Sequence, residues 1–325
     1  RLLGGHIDHA GTAERIKMGE GQIAHVALHA SPACTQLPGR GTVAGMSATP
    51  DTPPTPPTPT PPTPPTSLPY DPHAHLRTDG VRFLEVVADH GFERPVPSCP
   101  DWNLGDLAWH LGGVWNFWGR IVSEGITTLD GVKAIDRPRR PSDELLLDWV
   151  TSAHTAMYSA LTRASDDTAV WTWTGSNQPE IWVERRMTQE TAVHRWDAAN
   201  AAGIPYEIPT AVAADGIDEF LTWFATRRFN DGAASVGGTV HLHCTDTDSD
   251  VIEGADDRSL VSGEWLVRRL DESGIDFTRE HAKGDAAVRG TANDLLLWLW
   301  RRDAGPVEIL GDVAVAESLR SFPDL

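Results

Sequence analysis

Between Thr49 and Thr66 the chain is an alternating run of Pro and Thr, and 11 of its 24 Pro fall between Pro50 and Pro69. Proline donates no backbone hydrogen bond and fixes φ, so such a run joins neither helix nor sheet and is read as an extended, polyproline-like tether. It divides the 325 residues into a head and a body. Residues 1–69 contain no aromatic residue and all 13 Trp stand at or after Trp102, so only the body has the large apolar side chains that a core needs. Residues 1–72 are therefore read as a disordered head and Pro/Thr tether. The chain opens on Arg1 and Met46 stands just ahead of the tract, so residues 1–45 are set aside as sequence that need not belong to the folded protein.

Up to Tyr70 four basic residues balance four acidic ones, which leaves the whole net charge of −19 on the residues from 71 onward. So acidic a body repels phosphate, and no nucleic-acid partner is expected. No stretch approaches the ~18 consecutive apolar residues of a membrane span, and the head lacks the basic-then-apolar order of a secretory signal. The expectation is a cytoplasmic protein with no membrane partner. Cys34, Cys99 and Cys244 are odd in number, far apart and free of C-x-x-C spacing, which fits neither a disulfide framework nor a zinc knuckle.

From about His73 to Phe224 the apolar residues recur at helical spacing. Four long helices are expected. The first covers His75–His90. The second starts after Asn103, an N-cap with Asp106 three residues on, and ends near Gly125. The third follows Pro141, with Ser142 or Asp143 as its cap. A short segment at Trp171–Trp173 precedes the fourth, which runs from Pro179 or Ile181 to Ala202 and stops at Gly203. A fifth helix, Thr210 to Arg227, packs against this bundle or leads out of it. After Gly237 the period becomes alternating. Val240–Cys244, Trp265–Leu270, Ile275–His281 and Ala286–Arg289 read as strands, Thr291–Arg302 as a helix, Val307–Leu310 as a last strand and Val313–Phe322 as a closing helix. The body thus divides into a helical domain, residues 73–230, and a small α+β domain, residues 236–325.

On the fourth helix Glu190 and His194 lie four residues apart and so project from one face, a turn from each other. On the second, His110 precedes Gly112 and Gly113, whose lack of side chain would let a neighbouring helix come close. If these helices face each other, His110, Glu190 and His194 offer two imidazoles and a carboxylate to a divalent metal, with coordination positions left for water or substrate. Spacing alone fits equally a solvated helix face and a hydrogen-bonded core histidine.

The run Cys99–Val114 (CPDWNLGDLAWHLGGV), together with Arg186–Ala198 (RMTQETAVHRWDA), resembles the mycothiol-dependent maleylpyruvate isomerase family of actinobacteria. The Ala287–Arg302 stretch (AVRGTANDLLLWLWRR) is similar to the C-terminal domain of the same family, so the resemblance spans roughly residues 73–322. It implies an α+β two-domain fold, a DinB-like four-helix metal-binding bundle followed by a small C-terminal α+β domain. It implies His110, Glu190 and His194 as ligands of a metal, usually zinc, with Fe(II) and Ni as alternatives for such a donor set. It also implies an active-site Arg from the C-terminal domain, at Arg301 or Arg302, with Arg302 preferred. The implied chemistry is a metal-activated thiolate of mycothiol, or of a similar low-molecular-weight thiol, used for cis-trans isomerisation of a maleylpyruvate-type substrate or for S-transfer to a small electrophile. The rivals are a non-catalytic metal- and thiol-binding module, and a bundle without metal. Arg302 would then hold a substrate carboxylate.

Other polar residues admit two readings each. Arg186 precedes Glu190 by four, which suits an ion pair, and its alternative role is anchoring the thiol cofactor. Asp197, three after His194, pairs with a nearby Arg or fixes the histidine's tautomer. Trp109, Trp115 and Trp118 are core or pocket wall. His241 and His243 share one face of a strand, and with no third ligand in view they are read as filling a half-polar surface. His73 and His75, at the exit of the tether, are read as solvated.

Overall fold

The computed structural model describes residues 66–225, 237–247, 263–270, 274–303 and 305–320. The expected head, nearly all of the tether and Cys34 lie outside the described residues, as do the expected ends of the fifth helix and the closing helix. Among the described residues no helix is long and apolar enough to cross a membrane.

Four long helices form the first unit. α1 (Pro72–His90) begins where the Asp71 carboxylate accepts from the Ala74 amide, with Pro72 in the first turn. α2 (Leu104–Ser123) opens on the expected reciprocal cap between Asn103 and Asp106. A short α3 (Leu129–Lys133), for which the sequence shows no separate period, is capped by Thr128. α4 is Asp143–Leu161. A two-residue ribbon then pairs β1 (Ala169–Val170) with β2 (Gln178–Pro179), just outside the expected Trp171–Trp173 segment. α5 (Glu180–Ala202) ends at Gly203, whose φ of 71° is the left-handed turn that favours glycine.

The helices pack as a ring in which α5 touches α1 and α2, and α4 closes the other side against the same two. Trp115 and Trp118 of α2 are fully buried in the middle. Each hides roughly 150–250 Å² and contributes about 4–6 kcal/mol of apolar burial. The close approach expected at the glycines of α2 exists, but to α4 rather than to α5. A Cβ at Gly112 would stand 2.8 Å from the Trp149 ring, whereas one at Gly113 would meet nothing within 4 Å.

α6 (Thr210–Glu219) continues into a π-helical turn, Phe220–Ala225, and packs chiefly on α7 of the second unit. That unit is a five-stranded sheet in the order β5-β4-β3-β6-β7. Its strands are β3 (Gly238–Cys244), β4 (Glu264–Leu270), β5 (Gly274–Thr278), β6 (Ala286–Gly290) and β7 (Glu308–Gly311). Only β3 and β6 run parallel; the other neighbours are antiparallel. α7 (Ala292–Leu299) and α8 (Val313–Glu317) lie against β3 and β6. Strand alternation puts Val240, Leu242 and Cys244 in the core and leaves His241 and His243 on the opposite face.

Candidate metal centre

α5 decides where charge goes. Only Glu190, Arg195 and its last three residues escape full burial, although the helix carries eight ionisable side chains of both signs. A buried charge needs a partner. Arg185 donates to Asp215 and Asp218 of α6, Arg186 to Glu219, and Arg195 to Asp79 of α1 while lying 3.7 Å over the Tyr206 ring. Glu180 is the exception: neither carboxylate oxygen has a hydrogen-bond partner, and burial pushes its carboxyl up to about 9.

Where α2 and α5 meet, the three expected ligands converge. His110 Nε2 lies 3.2 Å from Glu190 Oε1, and His194 Nε2 lies 3.3 Å from the same oxygen. The two imidazoles meet edge to face at 4.9 Å, and one donor atom from each residue falls within 4.8 Å of the others. Trp102 packs against the His110 ring at 4.9 Å. On one side of His110 opens a cavity of about 660 Å³, lined also by Trp102, Trp109, Gly113, Asn116, Phe117 and Arg137. The bare Cα of Gly113 therefore widens this cavity.

Behind the three residues stands a second layer of charge. Asp197 Oδ2 lies 2.9 Å from His194 Nδ1, while Arg302 grips Asp197 with two parallel hydrogen bonds of 2.7 Å and Ser98 donates to it at 2.6 Å. Both readings of Asp197 hold together: it pairs with an Arg and orients the histidine. With Nδ1 engaged, Nε2 of His194 is the nitrogen turned to Glu190. On the other side Arg186 donates to Glu190 Oε2 at 3.1 Å.

The electrostatics follow from this packing. Burial pushes the His110 imidazole below its usual value, and the Glu190 hydrogen bond does not offset it. For Glu190 burial favours the neutral acid, but His110, His194 and Arg186 together hold the carboxyl well below the ordinary range. His194 is pulled down by burial and more strongly up by Asp197 and Glu190, so its net shift is upward. At Asp197 burial favours the neutral acid, but Arg302 and, after it, His194 together keep that carboxyl low.

Arg302 reaches the bundle because the helix before it ends in a defined way. The Arg301 amide bonds to the Trp298 carbonyl and the Arg302 amide to the Leu297 carbonyl, the paired bonds of a Schellman cap. Arg301 sits at the left-handed position with φ 61°, where glycine is usual. The turn sends Arg301 to the Arg320 carbonyl and Arg302 to Asp197. Arg302, expected to hold a substrate carboxylate, thus has its fork on Asp197 and its remaining Nη on the Trp300 carbonyl. Arg186 makes the expected ion pair with Glu190 and a second with Glu219, and is buried between them; its alternative role was to anchor the thiol. His73 is not simply solvated, since it pairs with Glu184 at 2.6 Å.

Glu219, Ser98 and Arg137 escaped the sequence reading. A signal for Glu219 existed: Asp215, Asp218 and Glu219 share one face of α6, facing the Arg185-Arg186 pair of a helix too buried to leave them solvated. For Arg137, in the loop after α3, no local pattern marks a cavity wall.

Two family models match the chain in succession. The mycothiol maleylpyruvate isomerase N-terminal domain covers residues 73–199, and the MDMPI C-terminal domain covers 211–318. Among solved structures, a crystal structure of a mutant mycothiol-dependent maleylpyruvate isomerase is similar at 11% identity with a TM-score of 0.42, covering 70% of this chain and 86% of that one. No curated protein sequence matches.

Proposed function

The chain belongs to the mycothiol maleylpyruvate isomerase family, and from that premise we propose that it isomerises a cis double bond using mycothiol, or a thiol of that class, as the sulfur donor. The observation that carries the reading is the convergence of His110, Glu190 and His194 on one point at the wall of a roomy cavity. Neither described cysteine can serve instead. Cys99 and Cys244 are buried, and burial pushes the Cys99 thiol up to about 12 and Cys244 upward as well. Among the described residues, then, no cysteine offers a ready thiolate, and in this reading the sulfur is that of an external thiol.

Two imidazoles and a carboxylate beside an open space suit a divalent cation, zinc first, with Fe(II) and Ni next. A cation there supplies the positive charge that keeps a docked thiol deprotonated near neutral pH. The chain's own residues have separate tasks. Asp197 holds His194 in one tautomer, and Arg302 holds Asp197 ionised and in place, which makes Arg302 a positioning residue. Arg186 does the same for Glu190, so it acts on the site rather than on the thiol. Arg137 has no carboxylate partner among the described residues and lines the cavity, so we assign to it the substrate carboxylate. Trp102 and Trp109 exclude water from one side. The sulfur adds to an electron-poor carbon of the cis double bond, the resulting single bond turns, and loss of the same thiol returns the trans double bond. Nothing is consumed.

The test is turnover of a maleylpyruvate-type acid by the full chain with and without mycothiol, with bound metal measured alongside. Thiol-dependent isomerisation is expected, with metal and turnover both lost in Glu190→Gln and His110→Ala. Arg137→Ala is expected to raise KM by roughly tenfold or more with kcat little changed, the worth of one charged hydrogen bond. A product that keeps the thiol would replace isomerisation by S-transfer. Tight thiol binding with no turnover of any electrophile would make the protein a binding module, and unchanged metal in both ligand variants would remove the site.

A further inference from the structure

The outer face of the sheet gathers a second set of imidazoles. His241 and His243 leave β3 on the same side, opposite the residues packed under α7 and α8. The β3/β4 register sets Glu264 directly across from His243, and His281, three residues beyond the end of β5, returns over the same place. All three rings turn a nitrogen to the one carboxylate. His241 Nε2 lies 3.0 Å and His281 Nδ1 2.5 Å from Glu264 Oε2, and His243 Nδ1 lies 3.1 Å from Oε1. One donor atom from each of the four residues falls within 4.8 Å of all the others.

Exposure makes this arrangement informative. The His281 side chain is 76% exposed, so water could satisfy both of its nitrogens without any inward turn. Surface ion pairs of this kind hold side chains only weakly, which leaves three imidazoles on one carboxylate poorly explained as a salt-bridge knot. Three nitrogens and one oxygen drawn from three separate segments are, by contrast, a complete tetrahedral ligand set, of the kind that closes structural zinc sites. The imidazole majority selects zinc, copper(II) or nickel(II) over magnesium or calcium.

We propose that His241, His243, Glu264 and His281 form a second divalent transition-metal site, separate from the bundle cluster, which fastens the segment after β5 to β3 and β4. Four protein ligands leave no open position, so its role is structural. The segment it pins also carries Arg279, whose guanidinium holds Asp218 of α6 at 2.6 and 2.9 Å, and Asp218 in turn receives Arg185 of α5. The metal thereby steadies a link between the sheet and the bundle.

The experiment is zinc titration of chelator-stripped full-length protein by calorimetry, with melting followed in parallel. The variants are His110→Ala, His110→Ala/His281→Ala, His243→Ala/His281→Ala, and His110→Ala/His243→Ala/His281→Ala. In the His110→Ala protein one zinc is expected with Kd of ~1 µM or tighter, and zinc should raise Tm. Adding His281→Ala alone, at a position too exposed to disturb folding, should weaken that binding by at least about tenfold. The triple variant should neither bind nor gain Tm. If His110→Ala binds no zinc, or if His243→Ala/His281→Ala changes neither stoichiometry nor affinity, the proposal is overturned. A wild-type chain that binds a single zinc, kept in His110→Ala and lost in His243→Ala/His281→Ala, would support this site and remove the bundle metal instead.

Discussion

In the bundle, His110, Glu190 and His194 come from two helices and are backed by a shell of buried charge: Asp197, Arg302, Arg186 and Glu219. On the sheet, His241, His243 and Glu264 are placed by strand alternation and register and His281 by the path after β5, with the three imidazoles turned to the one carboxylate. The donor types match, while the dielectric and the support do not. Buried donors must be held by partners that are themselves satisfied, so altering one disturbs a chain of others; donors at the surface can exchange partners with water. The bundle cluster is built for fixed orientation beside a cavity, and the sheet cluster for a simple staple.

That contrast predicts unequal costs. The largest should come from Asp197→Ala, which leaves the Arg302 guanidinium buried without its carboxylate. Urea unfolding should show a loss of about 3–5 kcal/mol. A loss under 1 kcal/mol would mean that water reaches the pair and that the two regions are alike. Next in size, Arg302→Lys keeps the charge but not the two-pronged grip on Asp197, so His194 loses its orientation. Metal affinity of the bundle cluster, or thiol-dependent turnover, should fall roughly 10–100-fold, with stability changed far less.

Glu180 sharpens the comparison from the other direction, as a buried charge site with no support. Its carboxyl titrates near 9 in the folded protein, against about 4.5 when unfolded, so the native state holds the proton longer. Its contribution to stability is therefore whole below about pH 4.5 and declines as pH rises through 9. Glu180→Gln should stabilise the protein by about 1–3 kcal/mol at pH 7.5 and by almost nothing at pH 4.5. Denaturant midpoints at the two pH values read this directly, and an equal gain at both would show that Glu180 is not protonated by burial. The smallest effect belongs to the sheet. In chelator-stripped protein Glu264→Ala should cost less than about 1 kcal/mol, since two of its histidine partners, His243 and His281, reach solvent. A cost comparable to that of Asp197→Ala would erase the distinction.

The legibility of each region follows the same divide. The Asn103/Asp106 cap, the glycine stop at Gly203 and the one-turn spacing of Glu190 and His194 are local, and the structure has each where its residues place it. His110 joined them only on the condition that α2 faces α5, and likeness to a family motif strengthened that, because nothing within α2 says which helix it will face. At the sheet, the shared face of His241 and His243 was legible from alternation. Their companions were not, since Glu264 arrives through strand register and His281 through the path taken after β5. Arg302 was singled out as an active-site group, but its engagement with Asp197 depends on a non-glycine residue accepting a left-handed turn at Arg301.

By itself the chain order determined the helical and alternating periods on either side of Gly237 and the ends of the long bundle helices. These depend on backbone dihedrals and hydrogen bonds within a few residues of one another. Packing alone settled which carboxylate each buried Arg would take, which side of α2 admits α4, and where the donors of β3, β4 and the segment after β5 would meet. Such pairings are chosen by the need to neutralise charge and fill space once the elements are brought together, and no local pattern encodes the partner.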